Sequence, residues 1–188
     1  YEQIAAVLRQ GDINYVKWDM NRSLCDIYSG SMVWQGNVMY DYMLGVYDLL
    51  ERLTQAFPDM LWEGCSGGGG RFDMGMLYYT PQIWCSDNTD AVDRIRIQYG
   101  TSFAYPLSTM GAHVSAVPNH QTGRVTDMNT RGVVAMTGAF GYELDLGKLS
   151  EEDKTAVREQ IKTYHEAAPV ILKGDYYRLS NPFEAEYG

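Results

Sequence analysis

LWEGCSGGGGRFD, residues 61–73, decides how the chain is read. With Asp59 and Met60 before it, DMLWEG (59–64) has the apolar bias of a short strand, and the chain then breaks into Cys65, Ser66, glycines at 67–70 and Arg71. A flexible linker does not fit, because the apolar FDMGMLYY (72–79) resumes at once. Glycines lack Cβ, so backbone in such a run can lie against a ligand and offer it N–H groups. A short buried strand ending in a loop of reactive residues is the unit from which the rest of the chain is built.

Outward from this stretch the same unit recurs. INYVKW (13–18) reads as a strand followed by polar DMNRS, and from Val38 to Phe57 the apolar positions Met39, Met43, Val46, Leu50, Leu53 and Phe57 predict a helix ended by Pro58. QIWCS (82–86) is a third strand, and DNTD leads from it into a helical AVDRIRIQYG (91–100). AHVSAVPN (112–119) is a fourth, TRGVVAMTG lies near a helix, and FGYELDL (140–146) is a fifth. The last helix opens on Ser150-Glu151-Glu152-Asp153, a capping-box signal, and runs through Val157 and Ile161. The first residues, YEQIAAVLRQGD, look like the end of an amphipathic helix rather than a signal peptide.

Strands alternating with helices imply an α/β fold with a parallel sheet under helices. Asp19, Cys65, Asp87 and Asn119 all fall at C-terminal strand ends, where ligands bind in open sheets and in (β/α)8 barrels alike. About five strand–helix units are present, whereas a closed barrel needs eight strands and typically about 250 residues. Read as a barrel, the chain is its back part.

Composition excludes several classes of function. The 188 residues carry a formal net charge of −9 and show no basic stripe, which argues against nucleic-acid or anionic-membrane partners. Cys25, Cys65 and Cys85 show no C-x2-C pairing and read as reduced thiols of a cytoplasmic protein; His113, His120 and His165 are scattered, and no metal is expected. No apolar run approaches a membrane span.

Asp19 follows an apolar strand in VKWDMNR, and alternation puts Lys17, Asp19 and Asn21 on one side of an extended chain. The plainer reading is a solvated loop acid paired with Lys17 or Arg22. Asp87, in WCSDNTD, ends another strand; its plainer role is to cap the next helix, which Thr89 or Asp90 would fill equally well. Two carboxylates from two strand ends are what glycoside cleavage requires, one at the anomeric carbon and one at the leaving oxygen.

VKWDMNR, CSGGGGRFD, PQIWCSDNTDA and FGYELDL together resemble the catalytic barrel of glycoside hydrolase family 36, the bacterial and fungal α-galactosidases. The resemblance covers essentially the whole chain. It implies a partial (β/α)8 TIM barrel in which residues 1–188 are the C-terminal portion of the catalytic domain, strands four to eight. It further implies a retaining α-galactosidase acting on terminal non-reducing α-galactosyl groups of melibiose- or raffinose-type oligosaccharides. Asp19 would be the nucleophile and Asp87 the acid/base, with Lys17, Trp18, Asn21, Cys65 and Gly68 at the galactose. No cofactor is implied, and the complete enzyme would be a homo-oligomer, a tetramer by resemblance. Two alternatives stand beside this: an inactive barrel fragment holding part of a sugar site, and a cysteine-dependent phosphatase. The second rests on the C-x5-R spacing of Cys65 and Arg71, although Gly64 and Phe72 occupy places where that chemistry wants His and Ser or Thr.

Overall fold

A computed structural model describes residues 1–184. The chain divides into two compact units, Tyr1–Pro81 and a second that begins at Gln82.

The first unit contains α1 (Glu2–Leu8), β1 (Tyr15–Asp19), α2 (Val38–Ala56), β2 (Leu61–Cys65) and α3 (Met74–Tyr79). β1 and β2 pair in parallel, in register from Tyr15 opposite Leu61 to Asp19 opposite Cys65. Paired residues of a parallel ladder share a face, so alternation divides the ribbon cleanly. Val16, Trp18 and Trp62 turn to the helices and pack with Leu8, Leu49, Leu53 and Phe57. The opposite face presents Tyr15, Lys17 and Asp19 from β1 with Glu63 and Cys65 from β2. α2 takes its predicted span and stops before Pro58, but only part of its apolar series is enclosed: Leu50 and Leu53 are fully buried while Met39 is 42% exposed.

The second unit contains β3 (Gln82–Trp84), α4 (Ala91–Thr101), β4 (Met110–Ser115), α5 (Met128–Ala135), β5 (Ala139–Glu143) and α6 (Glu151–Lys173). β3 pairs in parallel with β4, and β4 with β5. Val114 looks to the helices and clusters with Met128, Ala135 and Val157, with Phe140 and Tyr142 packed alongside. Trp84, Gly111, His113, Ser115 and Glu143 share the other face by register. In each unit, sequential strands joined through helices lie side by side and parallel, the connection from which β/α barrels are built.

Helix starts are set by side chains that accept from free backbone donors: Asp73 from Met76, Asp90 from Asp93, Asp127 from Thr130 and Ser150 from Asp153. Each such cap stabilises its helix by about 1 kcal/mol. Several boundaries differ from the sequence reading. β3 ends at Trp84 rather than residue 86, because the Ser86 carbonyl is taken by Arg94 instead of a neighbouring strand. β4 begins at Met110 and ends at Ser115, whose carbonyl accepts from Arg131 Nη1 at 2.6 Å. The apolar stretch after the glycines forms α3, six residues long, and α6 continues through Pro169 to Lys173.

Candidate active site

At the end of β1, Asp19 is surrounded by donors. Asn21 Nδ2 donates to its Oδ2 at 2.9 Å, and the Cys65 thiol and the backbone N–H groups of Gly67 and Met20, the latter two bonded to Asn21 Oδ1 and Cys65 O, lie close enough to favour its charged form. Burial works to raise the carboxyl pKa, but these hydrogen bonds, Cys65 first, outweigh it and hold Asp19 below its ordinary value. The plainer reading, an acid paired with Lys17 or Arg22, is not what the ion pairs show: Lys17 Nζ lies 3.7 Å from Glu63 Oε1. Glu63 is 1% exposed and also accepts from the Tyr15 hydroxyl. Tyr15, Lys17 and Glu63 therefore form a polar set one strand step below Asp19 and Cys65.

The glycine run is a tight, self-bonded turn. Ser66 N–H donates to Gly68 O at 2.9 Å, and Gly67 N–H to Asn21 Oδ1 at 2.6 Å. Gly67 and Gly68 have φ of 53° and 84°, a region costly for residues with a Cβ. Asn21 thus bridges the carboxylate to the turn through its two ends. The Gly68 N–H, a candidate sugar contact, is directed at the Cys65 sulfur. Cys65 is 3% exposed, and burial, helped by the neighbouring Asp19, pushes its thiol up to about 11 against the pull of Gly68 N–H and Lys17.

That value and the position of Arg71 contradict the phosphatase alternative. Its chemistry needs a thiolate near neutral pH with the arginine turned into an anion cradle. Arg71 Nη2 donates instead to Cys65 O at 2.8 Å and Trp18 O at 3.3 Å, tying together the two strand ends. A cavity of about 390 Å³ lies beyond the turn, lined by Asn21, Arg22, Ser66, Gly67, Gly70 and Arg71.

Asp87 lies three residues past the end of β3, exposed, and its Oδ1 accepts from Trp84 Nε1 at 3.1 Å. It does not cap α4; Asp90 does, 2% exposed, holding Asp93 N–H, Thr122 Oγ1 and the Arg124 guanidinium. Neighbouring loop residues are anchored too: Thr89 O accepts from Ser115 Oγ at 3.1 Å, and Thr89 Oγ1 from Asn119 Nδ2 at 3.1 Å. The cap role is filled, and the Asp87 side chain is left facing solvent.

Of the predicted residues, Lys17, Asn21, Cys65 and Gly68 stand with Asp19 in the first unit, and Asp87 is in the second. Trp18 is the exception. It points to the opposite face, where its ring centroid is 6.3 Å from that of Trp62, so only its backbone carbonyl reaches the strand-end network. Alternation puts the Trp18 and Asp19 side chains on opposite faces, so the Trp18 indole does not stand with the other expected galactose contacts. Sequence reasoning missed Glu63 and Arg94, and gave Arg71 only a place in the phosphatase alternative. Glu63 was detectable as a lone charge inside LWEGC, two positions before Cys65 and so on its face.

Parallel strand–helix units with carboxylates at strand ends describe a segment of a barrel glycosidase. A family model described as Melibiase matches residues 1–174, and the chain belongs to this family, glycoside hydrolase family 36. It is 66% identical to the bifunctional α-galactosidase/sucrose kinase AgaSK of Mediterraneibacter gnavus over 99% of its own length and 19% of that protein. Variants of α-galactosidase AgaA from Geobacillus stearothermophilus superpose closely. One in complex with raffinose gives TM-score 0.94 at 53% identity, covering 97% of this chain and 26% of AgaA. Another, with stachyose, gives 0.95 at 54%, with the same coverage of 97% and 26%. The chain thus spans about a fifth to a quarter of the length of these relatives, and its fold is that of a partial (β/α)8 barrel. Among the described residues no helix is long and apolar enough to cross a membrane.

Proposed function

We propose that this chain carries both catalytic carboxylates of a retaining α-galactosidase that hydrolyses terminal non-reducing α-galactosyl groups of raffinose-type oligosaccharides. The observation that carries the reading is the setting of Asp19: a carboxylate at a strand end that accepts from Asn21 Nδ2 and is held below its ordinary pKa, in a chain of this family. An ionised carboxylate at the anomeric carbon is a nucleophile. Asp19 Oδ attacks C1 while the proton of Asp87 passes to the departing glycosidic oxygen, leaving a galactosyl ester on Asp19. Asp87, now a carboxylate, removes a proton from water, the water oxygen attacks C1, and Asp19 is released. Lys17, Asn21 and the turn at Gly67 and Gly68 border the place where the sugar hydroxyls would sit.

The domain assignment goes with this reading: residues 1–188 supply strands four to eight of the barrel. The first three strand-end loops would hold the rest of the galactose, so the 188-residue chain by itself is expected to be inactive. A cytoplasmic homo-oligomer is proposed for the complete enzyme.

The test uses a polypeptide of full relative length carrying this segment. Asp19→Ala should abolish turnover of raffinose and of an aryl α-galactoside alike. Asp87→Ala should reduce raffinose kcat/KM by about 10²–10⁴-fold but spare the aryl substrate, whose leaving group needs no proton. A crystal structure should put the two carboxyl groups about 5–5.5 Å apart, as double displacement requires. A gap above about 6.5 Å, the room an inverting water needs, would defeat the retaining assignment.

A further inference from the structure

We propose that Arg94 is a positioning residue for Asp87, fixing the acid/base carboxyl by gripping the backbone on both sides of it. The inference rests on the reading of Asp87 as acid/base and adds a residue that acts through it.

Arg94 is on α4 and 3% exposed. Its guanidinium faces the loop that carries Asp87. Nη2 donates to Ser86 O at 2.6 Å and Nε to Asn88 O at 2.7 Å. These are the carbonyls of the residues directly before and after Asp87. Nη1 reaches Gly111 O on β4 at 3.1 Å and Cys85 Sγ at 3.0 Å. One rigid fork therefore joins both flanks of Asp87 to the sheet.

The consequence is geometric. With its two neighbours held, the Cα–Cβ direction of Asp87 is set, and only the side-chain torsions remain. Those are restrained by Trp84 Nε1, which donates to Oδ1 at 3.1 Å, and the same Trp84 ring lies 4.4 Å from Arg94 Cζ. An indole N–H can only donate, so Oδ1 is held as the acceptor and Oδ2 is the oxygen the indole leaves unengaged. Arg94 thus holds the loop and, through Trp84, the ring that orients the carboxyl.

A lysine keeps the charge but, as a point donor on a flexible stem, cannot match the planar fork. Helix packing alone would make Arg94→Lys lower all activities together. A positioning role predicts a split, because kcat/KM reports steps up to galactosyl-enzyme formation and only poor leaving groups need the proton there. In the full-length polypeptide, kcat/KM of Arg94→Lys should fall about tenfold or more on raffinose, with a several-fold smaller loss on 4-nitrophenyl α-galactoside. Arg94→Lys added to Asp87→Ala should cost nothing further on raffinose, since the group it places is gone. Equal losses on both substrates, or additive losses in the double variant, would overturn the proposal. A wild type without α-galactosidase activity would instead overturn the functional reading on which it rests.

Discussion

Cys65 separates the sugar-site reading from nucleophilic cysteine chemistry in a single measurement. Its thiol is pushed up to about 11, chiefly by burial. At pH 8 roughly one such thiol in a thousand is ionised, against about one in four for an unperturbed cysteine near 8.5. The rarer thiolate is also more nucleophilic, by about tenfold for a difference of this size with a Brønsted slope of about 0.4–0.5. The net expectation is alkylation about 20-fold slower than for an unperturbed thiol, before the shielding of a 3% exposed side chain is counted. Iodoacetamide labelling at pH 8, followed by peptide mass spectrometry, should modify the exposed Cys25 long before Cys65. Labelling of Cys65 as fast as Cys25 would refute the reasoning. A neutral thiol also remains a hydrogen-bond donor to Asp19 across the working pH range. Cys65→Ser keeps that donor and should retain most galactoside turnover, whereas Cys65→Ala loses it and should move the acid limb of kcat/KM upward.

Two other expectations follow from the charged groups. Asn21→Ala removes a donor that keeps Asp19 below its ordinary value, so the carboxylate should protonate at higher pH and the acid limb of kcat/KM should rise; an unmoved limb would contradict the assignment. Asp90 is also held below its ordinary value: burial opposes this, while the Asp93 N–H, Thr122, Arg124 and Val92 N–H outweigh it. The stability it contributes is therefore present above its unfolded pKa and lost as pH falls through the folded one. Asp90→Asn should lower thermal stability at pH 7 by about 1 kcal/mol, with the gap to wild type closing as the buffer is taken below that folded value; a gap that widens would count against the Arg124 pairing.

Strand and helix order was legible because the strands are short runs with an apolar bias and α3 to α6 are each opened by Asp or Ser. Asp19 and Asp87 were legible because they end such runs. What the sequence hid is what the loops do with their polar groups. Nothing in CSDNTD says whether Asp87 or Asp90 caps α4; that depends on which carboxylate meets the Asp93 N–H, and the structure gives it to Asp90. Likewise VKWDMNR suggests a Lys17–Asp19 pairing, but Lys17 meets Glu63 across the ladder, through a register that only strand pairing reveals. Trp18, expected at the galactose by resemblance, has its indole packed on the helix side of the ribbon, as period-two alternation requires of the residue next to Asp19.

The arginines explain why both strand ends hold their shape. Where a parallel strand stops, its last carbonyls lose their ladder donors, and leaving them buried and unpaired costs about as much as a lost hydrogen bond. Water can satisfy them on an open surface but would also soften a loop that must place a carboxyl to a fraction of an ångström. Each unit meets the problem with a guanidinium. Arg71 takes Trp18 O and Cys65 O beside Asp19, and Arg94 takes Ser86 O and Asn88 O beside Asp87. A planar group with five donors can serve two carbonyls of one turn from a single anchored side chain, which an ammonium on a flexible stem does poorly. The two arginines arise differently in sequence, one at the end of the glycine turn and one in the first turn of α4. Their shared task is thus invisible to spacing and follows only from which strand-end and loop carbonyls each guanidinium reaches.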